Sequence, residues 1–178
     1  MNRVLKFYDY EQCFIHYTKR IMSIRQAKIR GEVIVAKPVL LLAIIDGIDA
    51  DVFLGNEFLL NDWLEERYEM LMTLNMQNSQ FDKPADISNP FWHLQSDGFW
   101  HLQLAEKAQE GVTPSKRWLK EKVTLAHLDD DLWLLLQNKV WRLKLREYIV
   151  ENKLTDGGWL GKIAAEGLGA IAALLIAA

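Results

Sequence analysis

The chain has 178 residues, half of them hydrophobic and a quarter charged, with a formal net charge of −3. That length suits one substantial core and is short for two. Seven Trp, seven Phe and five Tyr exclude a disordered chain, because their burial can offset the ordering entropy. A single cysteine, Cys13, excludes an internal disulfide framework and points to a reducing, cytoplasmic compartment.

The start of the chain, Met1 to Lys6, has no apolar run of the kind a secretory signal needs. Val4, Phe7, Phe14, Tyr17, Ile21 and Ile24 then recur at helical spacings, which predicts one long amphipathic helix over the first thirty residues, ended by Gly31. Val33 to Ala36 reads as a short extended connection. Lys37, before a proline, is biased away from helix, and Pro38 suits the first position of a second helix through Val39–Ile45. That helix is apolar on every side and belongs in the middle of the core, since about eleven residues fall far short of a bilayer span. Asn56 is placed to cap a third helix with Phe58, Leu59, Trp63, Leu64, Leu71 and Leu74 facing inward. From Asn75 to Asn89 the chain is polar, without helical period, and reads as a loop. Thr113 and Pro114 open a helix over Ser115–Lys122, Asp129 caps another through Leu132, Trp133 and Leu136, and a last one runs from Val140 to Val150.

The expected fold is therefore mainly α, a compact helical domain over residues 1–154 with a small β-hairpin at about residues 90–104. Residues 155–178 form a Gly/Ala-rich apolar tail whose longest uncharged run, Gly167–Ala178, is too short to cross a membrane. A helix packed on the domain, a partner-binding segment and a remnant of expression all remain open for it.

The hairpin rests on a repeat. Phe91-Trp92-His93-Leu94-Gln95 is followed by Ser96-Asp97-Gly98 and then by the same five letters, Phe99-Trp100-His101-Leu102-Gln103. Two aromatic alternating runs around a Gly-ended turn predict paired strands, with His93 opposite His101. Trp92, Leu94, Trp100, Leu102 and Leu104 then share a face for burial, leaving Phe91, His93, Gln95, Phe99, His101 and Gln103 on the other, where aromatic and hydrogen-bonding groups suit recognition. An ordinary half-exposed hairpin has the same pattern, and a one-residue slip would exchange the faces.

Two facing histidines beside Asp97 supply too few ligands for a defined metal site, and His16 and His127 add none at a diagnostic spacing. Cys13 lies within the first helical pattern and suits packing better than nucleophilic chemistry. With no Gly-rich phosphate loop and no His-Asn-His nuclease pattern, the residues describe a binding domain without catalytic residues, metal or cofactor.

Charge is segregated along this chain. Residues 1–37 carry Arg3, Lys6, Lys19, Arg20, Arg25, Lys28, Arg30 and Lys37 against Asp9, Glu11 and Glu32. Residues 38–70 carry only Arg67 against Asp46, Asp49, Asp51, Glu57, Asp62, Glu65, Glu66 and Glu69. Solvated helix faces would explain both runs, but a near-neutral sum does not exclude a local basic field that suits nucleic acid.

Three elements coincide in order and spacing: Ala36-Lys37-Pro38-Val39-Leu40-Leu41-Leu42; Asn89-Pro90-Phe91-Trp92-His93-Leu94 with Asp97-Gly98-Phe99-Trp100; and Pro114-Ser115-Lys116-Arg117-Trp118-Leu119 before Leu128-Asp129 and Leu132-Trp133. In these the chain resembles the sulfur-binding domain at the front of HNH-type restriction endonucleases that read phosphorothioate-modified DNA. The resemblance runs from the first helix to about Leu154. It implies recognition of double-stranded DNA in which sulfur replaces a non-bridging phosphate oxygen, within a bacterial restriction or antiviral defence system.

The resemblance also implies a small apolar sulfur pocket at Asn89, Pro90, Phe91 and His93. It implies DNA contacts from Arg30, Lys37, His101, Lys116 and Arg117, with Arg117 or Lys116 as the phosphate clamp. It implies a linked or partner HNH nuclease, and leaves open a second copy of the chain as partner, with no role for a membrane. Two positions depart from the family pattern: Asn89 stands where Tyr is usual before the loop proline, and Ala36 where His often precedes the Lys-Pro pair. A related module that binds unmodified DNA or a protein partner is the alternative. A small metal-dependent hydrolase using His93 and His101 is the more remote one.

Overall fold

The computed structural model of the chain describes residues 6–7, 9–76 and 79–154. The apolar tail, 155–178, and Val4 of the first helical pattern lie outside them. Within the described residues seven α-helices carry the fold, joined by two small antiparallel two-stranded sheets, so the expected mainly α class holds. No helix among these residues is long and apolar enough to cross a membrane.

Helix α2 (Ala36–Asp49) is the centre of the core, with every residue from Pro38 to Ile48 buried. It packs against α3 (Asp62–Asn75), α4 (Ser88–His93), α6 (Asp130–Gln137) and α7 (Lys139–Lys153). A helix surrounded on all sides must be apolar on all sides, which explains the run from Val39 to Ile45. The helix begins two residues earlier than the sequence predicts, so that Lys37 is helical and Pro38 is third. A proline is tolerated there because the N–H groups of a first turn have no intrahelical partner to lose.

The first helix is shorter than predicted. Helix α1 spans Tyr10–Met22, with Asp9 capping it through the Gln12 N–H. The chain then turns into a ribbon, β1 (Lys28–Ile29) against β2 (Glu32–Val33). Arg30 and Gly31, both at positive φ (51° and 86°), make the two-residue turn whose twist suits a hairpin, so Gly31 closes a strand turn and ends no helix. Asn61, not Asn56, caps α3 by accepting from the Leu64 N–H. Asn56 instead clamps Leu128 through both backbone groups, at 2.8 and 2.9 Å, and of the residues expected to face inward Leu59 is exposed.

The repeat does not form a hairpin with itself. The first copy is helical: α4 takes Phe91, Trp92 and His93, and a 3-10 turn takes Leu94–Asp97. The second copy enters strand β3 (Trp100–Leu104), which pairs with β4 (Val123–Leu128). Context separates identical letters. Asp86 accepts from the Ser88 N–H at 2.8 Å and Pro90 sits in the first turn, both helix-start chemistry. The second copy follows Gly98, which has the predicted left-handed φ (79°) but leads out of a helical turn.

His101 consequently faces His127 in the register, not His93. Phe91 and Phe99, expected on the exposed face, are both fully buried. The Phe91 ring meets Trp100 edge-on at 5.3 Å, while the Trp100 indole N–H donates to the Phe91 carbonyl at 2.9 Å. The second half follows expectation more closely. Helix α5 (Lys116–Lys122) forms where expected but is capped by Ser115 in place of Thr113, α6 begins after Asp129, and α7 starts at Lys139 with Asn138 as a cap that the sequence pattern did not mark. Cys13 is buried as expected, its thiol pushed up to about 12 by burial, then by Asp131 and Asp9, far from the range where thiolate chemistry operates.

Candidate nucleic-acid interface

Helix α4 brings three of the four predicted pocket residues together. Asn89 and His93 are exposed and one helical turn apart, so they lie on the same face. Pro90 is buried between them, and the fully buried Phe91 ring lies in the core beneath. Phe91 therefore anchors α4 to Trp100 and presents no surface of its own. Beside His93, whose Nε2 is 2.7 Å from the Thr113 hydroxyl, a groove of about 450 Å³ is lined by Trp92, His93, Leu104, Val112 and Thr113 among others. Thr113 had no signal in the sequence beyond its place before Pro114.

The turn that follows α4 is bound tightly to the basic amino-terminal segment. The Lys37 ammonium lies 2.6 Å from an Asp97 carboxylate oxygen, with only 13% and 5% of the two side chains exposed, and also donates to the Ser96 hydroxyl at 3.3 Å. The Arg20 guanidinium covers Gly98 and donates to the Asp97 carbonyl at 3.4 Å. A side chain at Gly98 would meet that guanidinium and be strained by the positive φ. Lys153, which donates to the Met22 carbonyl, is pulled down by burial while Asp97 acts in the opposite direction. The Asp97 carboxylate, immediately beyond α4, thus takes the Lys37 ammonium and the Arg25 backbone N–H, while the Arg20 guanidinium holds its carbonyl; Lys19, Lys28 and Arg30 of the same amino-terminal segment are exposed. Arg20 and Lys153 were missed in the sequence because they reach this turn only through long-range folding.

The other basic segment is used differently. Lys116 and Lys120 both pair with Glu65, at 2.8 and 2.5 Å, and Lys120 also reaches Asp62. Burial pushes the Glu65 carboxyl up, but the hydrogen bonds from the two lysines outweigh it and hold it below the usual glutamate range. Arg117 points away, 88% exposed, with only a same-helix contact to Glu121. Of the two predicted clamp residues, Arg117 is free to meet a phosphate and Lys116 is tied to α3.

Part of the acidic run from Asp46 to Glu69 is likewise paired within the fold. Asp46 holds Arg67 and Arg146, and Asp49 holds Arg142. His101 has a local role: its Nε2 is 2.6 Å from Asp129, which also accepts from the Tyr17 hydroxyl at 2.9 Å, and its ring lies 5.0 Å from His127. Asp129 therefore spends its carboxylate on β3 and α1 and forms no side-chain cap on α6. The facing pair of His93 and His101 on which a metal-dependent hydrolase would rest does not form, and among the described residues no three His, Cys, Asp or Glu side chains gather as metal ligands.

No curated protein shows significant similarity to this chain. Among solved structures, the sulfur binding domain of ScoMcrA complexed with phosphorothioated DNA superposes with a TM-score of 0.57 at 19% identity, over 77% of this chain and 86% of that one. At that identity the likeness establishes a shared fold. A family model described as "ScoMcrA-like, DNA sulfur-binding domain" matches residues 16–159, a span that takes in the second half of α1 and all of the Lys-Pro helix α2, the Asn-Pro-Phe-Trp helix α4 and the Arg117 helix α5. Because that match takes in the greater part of the sequence, the chain belongs to the ScoMcrA-like DNA sulfur-binding domain family.

Proposed function

We propose that this domain binds double-stranded DNA carrying a phosphorothioate, seats the sulfur at the Asn89–Pro90–His93 edge, and holds the flanking backbone with exposed cations. The observation that carries this reading is the family match over residues 16–159. The basic surround of the pocket helix supports it. Thiophosphate sulfur is larger and less strongly hydrated than oxygen, so apolar surroundings at this edge favour it, but about 40 Å² of apolar contact at about 25 cal/mol per Å² contributes only ~1 kcal/mol. That is roughly a fivefold preference. Affinity must therefore come from phosphate contacts, for which Arg20, Arg25, Arg30 and Arg117 are placed, with base contacts adding sequence preference.

Cleavage is assigned to an HNH nuclease domain or subunit, in a bacterial restriction or defence system, and this domain acts as its recognition module. Asn89 and Ala36 stand where the family usually has Tyr and His, so the pocket mouth is more polar and the base preference altered.

Roles can be separated by measurement. Arg117→Ala is expected to weaken binding to matched duplexes with and without one phosphorothioate equally, and to lower the salt slope by about 0.9. Pro90→Ala is expected to reduce the ratio between the two duplexes while leaving the slope unchanged. Titrations by fluorescence anisotropy at two salt concentrations read both. An unchanged affinity in Arg117→Ala would move the clamp elsewhere.

A further inference from the structure

We propose that Lys37 is a positioning residue for the sulfur pocket, acting through Asp97, and that it makes no phosphate contact of its own. The inference rests on the pocket reading above and deepens it. Lys37 sits in the first turn of α2, the one helix buried on all sides and so the fixed reference of the domain. The pocket helix α4 is six residues long and the turn after it four, too short to hold their own geometry without tertiary contacts. What fastens their far end is a polar chain: the Ser96 hydroxyl donates to the His93 carbonyl at 2.8 Å, the Lys37 ammonium donates to that hydroxyl at 3.3 Å and lies 2.6 Å from Asp97. Arg20 and the Arg25 N–H complete the enclosure from the other side.

His93 forms one wall of the proposed pocket and is the residue whose carbonyl this chain of contacts fixes. Lys37, meanwhile, has a carboxylate against it and is mostly covered. A DNA phosphate would have to displace Asp97 to reach it, so its share of the salt-dependent affinity is small. A phosphate clamp and a strut make opposite predictions.

The test uses Lys37→Met, Asp97→Asn and the double variant, with duplexes differing by one phosphorothioate, at two salt concentrations. The strut predicts that each variant lowers the sulfur preference from about fivefold to below about twofold. It also predicts that the double variant equals the singles and that the salt slope keeps its wild-type value. Hydrogen exchange of the Leu94–Gly98 amides in the DNA-free protein is expected to accelerate by roughly tenfold. Asp97→Asn, which preserves shape, serves if Lys37→Met does not fold.

A slope lowered by about 0.9 in Lys37→Met, with tighter binding of both duplexes in Asp97→Asn, would overturn the strut in favour of a clamp. Unchanged amide exchange in both variants would overturn it as well. If the wild-type domain itself fails to prefer sulfur, the pocket reading fails, and the exchange measurement still decides whether the pair fixes the turn.

Discussion

Raising salt from about 50 to about 200 mM is expected to weaken DNA binding by this domain on the order of 500-fold. Sulfur burial contributes little, and about five cations proposed to meet phosphates, Lys19, Arg20, Arg25, Arg30 and Arg117, are exposed. At about 0.9 per phosphate the slope is close to −4.5, and a fourfold rise in salt then gives that loss. A protein with a formal charge of −3 would ordinarily be a poor candidate for such behaviour. The ion pairs lessen that objection: Asp46, Asp49, Asp62 and Glu65 are held by Arg67, Arg146, Arg142, Lys116 and Lys120, so half of the eight carboxylates between Asp46 and Glu69 already face cations of the fold. Isothermal titration across the salt series reads the slope directly, and one shallower than about −2 would mean that fewer than three phosphates are engaged.

Replacing Asp46 by alanine is expected to destabilise the domain by about 3–5 kcal/mol, lowering the melting midpoint by roughly 10 °C for a chain of this size. The carboxylate is 8% exposed. One oxygen lies 2.7 Å from the Arg67 guanidinium and the other 2.8 Å from that of Arg146. Alanine leaves two guanidinium groups, each 16% exposed, facing one another without a counterion, which costs more than the intact triad contributes. Substituting all three residues with apolar ones of similar volume, as in Asp46→Leu with Arg67→Met and Arg146→Met, should regain most of the loss. The triad joins α2 to α3 and α7, so its failure would loosen the helix that carries Lys37. Thermal melts by circular dichroism measure the effect, and a loss below about 1 kcal/mol would mean that water already screens these charges.

Features that depend on local chemistry were legible in the sequence. The all-apolar run from Val39 to Ile45 specified a central helix, the helices expected over Ser115–Lys122 and Val140–Val150 form as α5 and α7 with starts shifted by one residue, and Gly98 took its left-handed φ. The repeated pentapeptide was misleading because alternation and helical spacing cannot be told apart over five residues. Helix-start contacts around Asp86 and Pro90 decided the first copy, and pairing with β4, more than twenty residues away, decided the second. Arg30 and Gly31 escaped notice as a turn because the strands beside them are only two residues long. Asn89, Pro90 and His93 share the short helix α4, with Asn89 and His93 exposed on one face. The partners of Lys37 and Lys116, at separations of 60 and 51 residues in sequence, could come only from the folded chain. Those partners separate Lys116 from Arg117 and give Lys37 a carboxylate.

The central claim is that this domain distinguishes sulfur from oxygen on a DNA backbone, and one measurement tests it most directly: competition titrations of the wild-type domain with matched duplexes differing by a single phosphorothioate, at low and high salt. The predicted result is a roughly fivefold preference for the sulfur duplex that is the same at both salts while both affinities fall steeply. Equal affinity for the two duplexes at both salts would contradict the account and leave a domain that binds DNA by its charge alone.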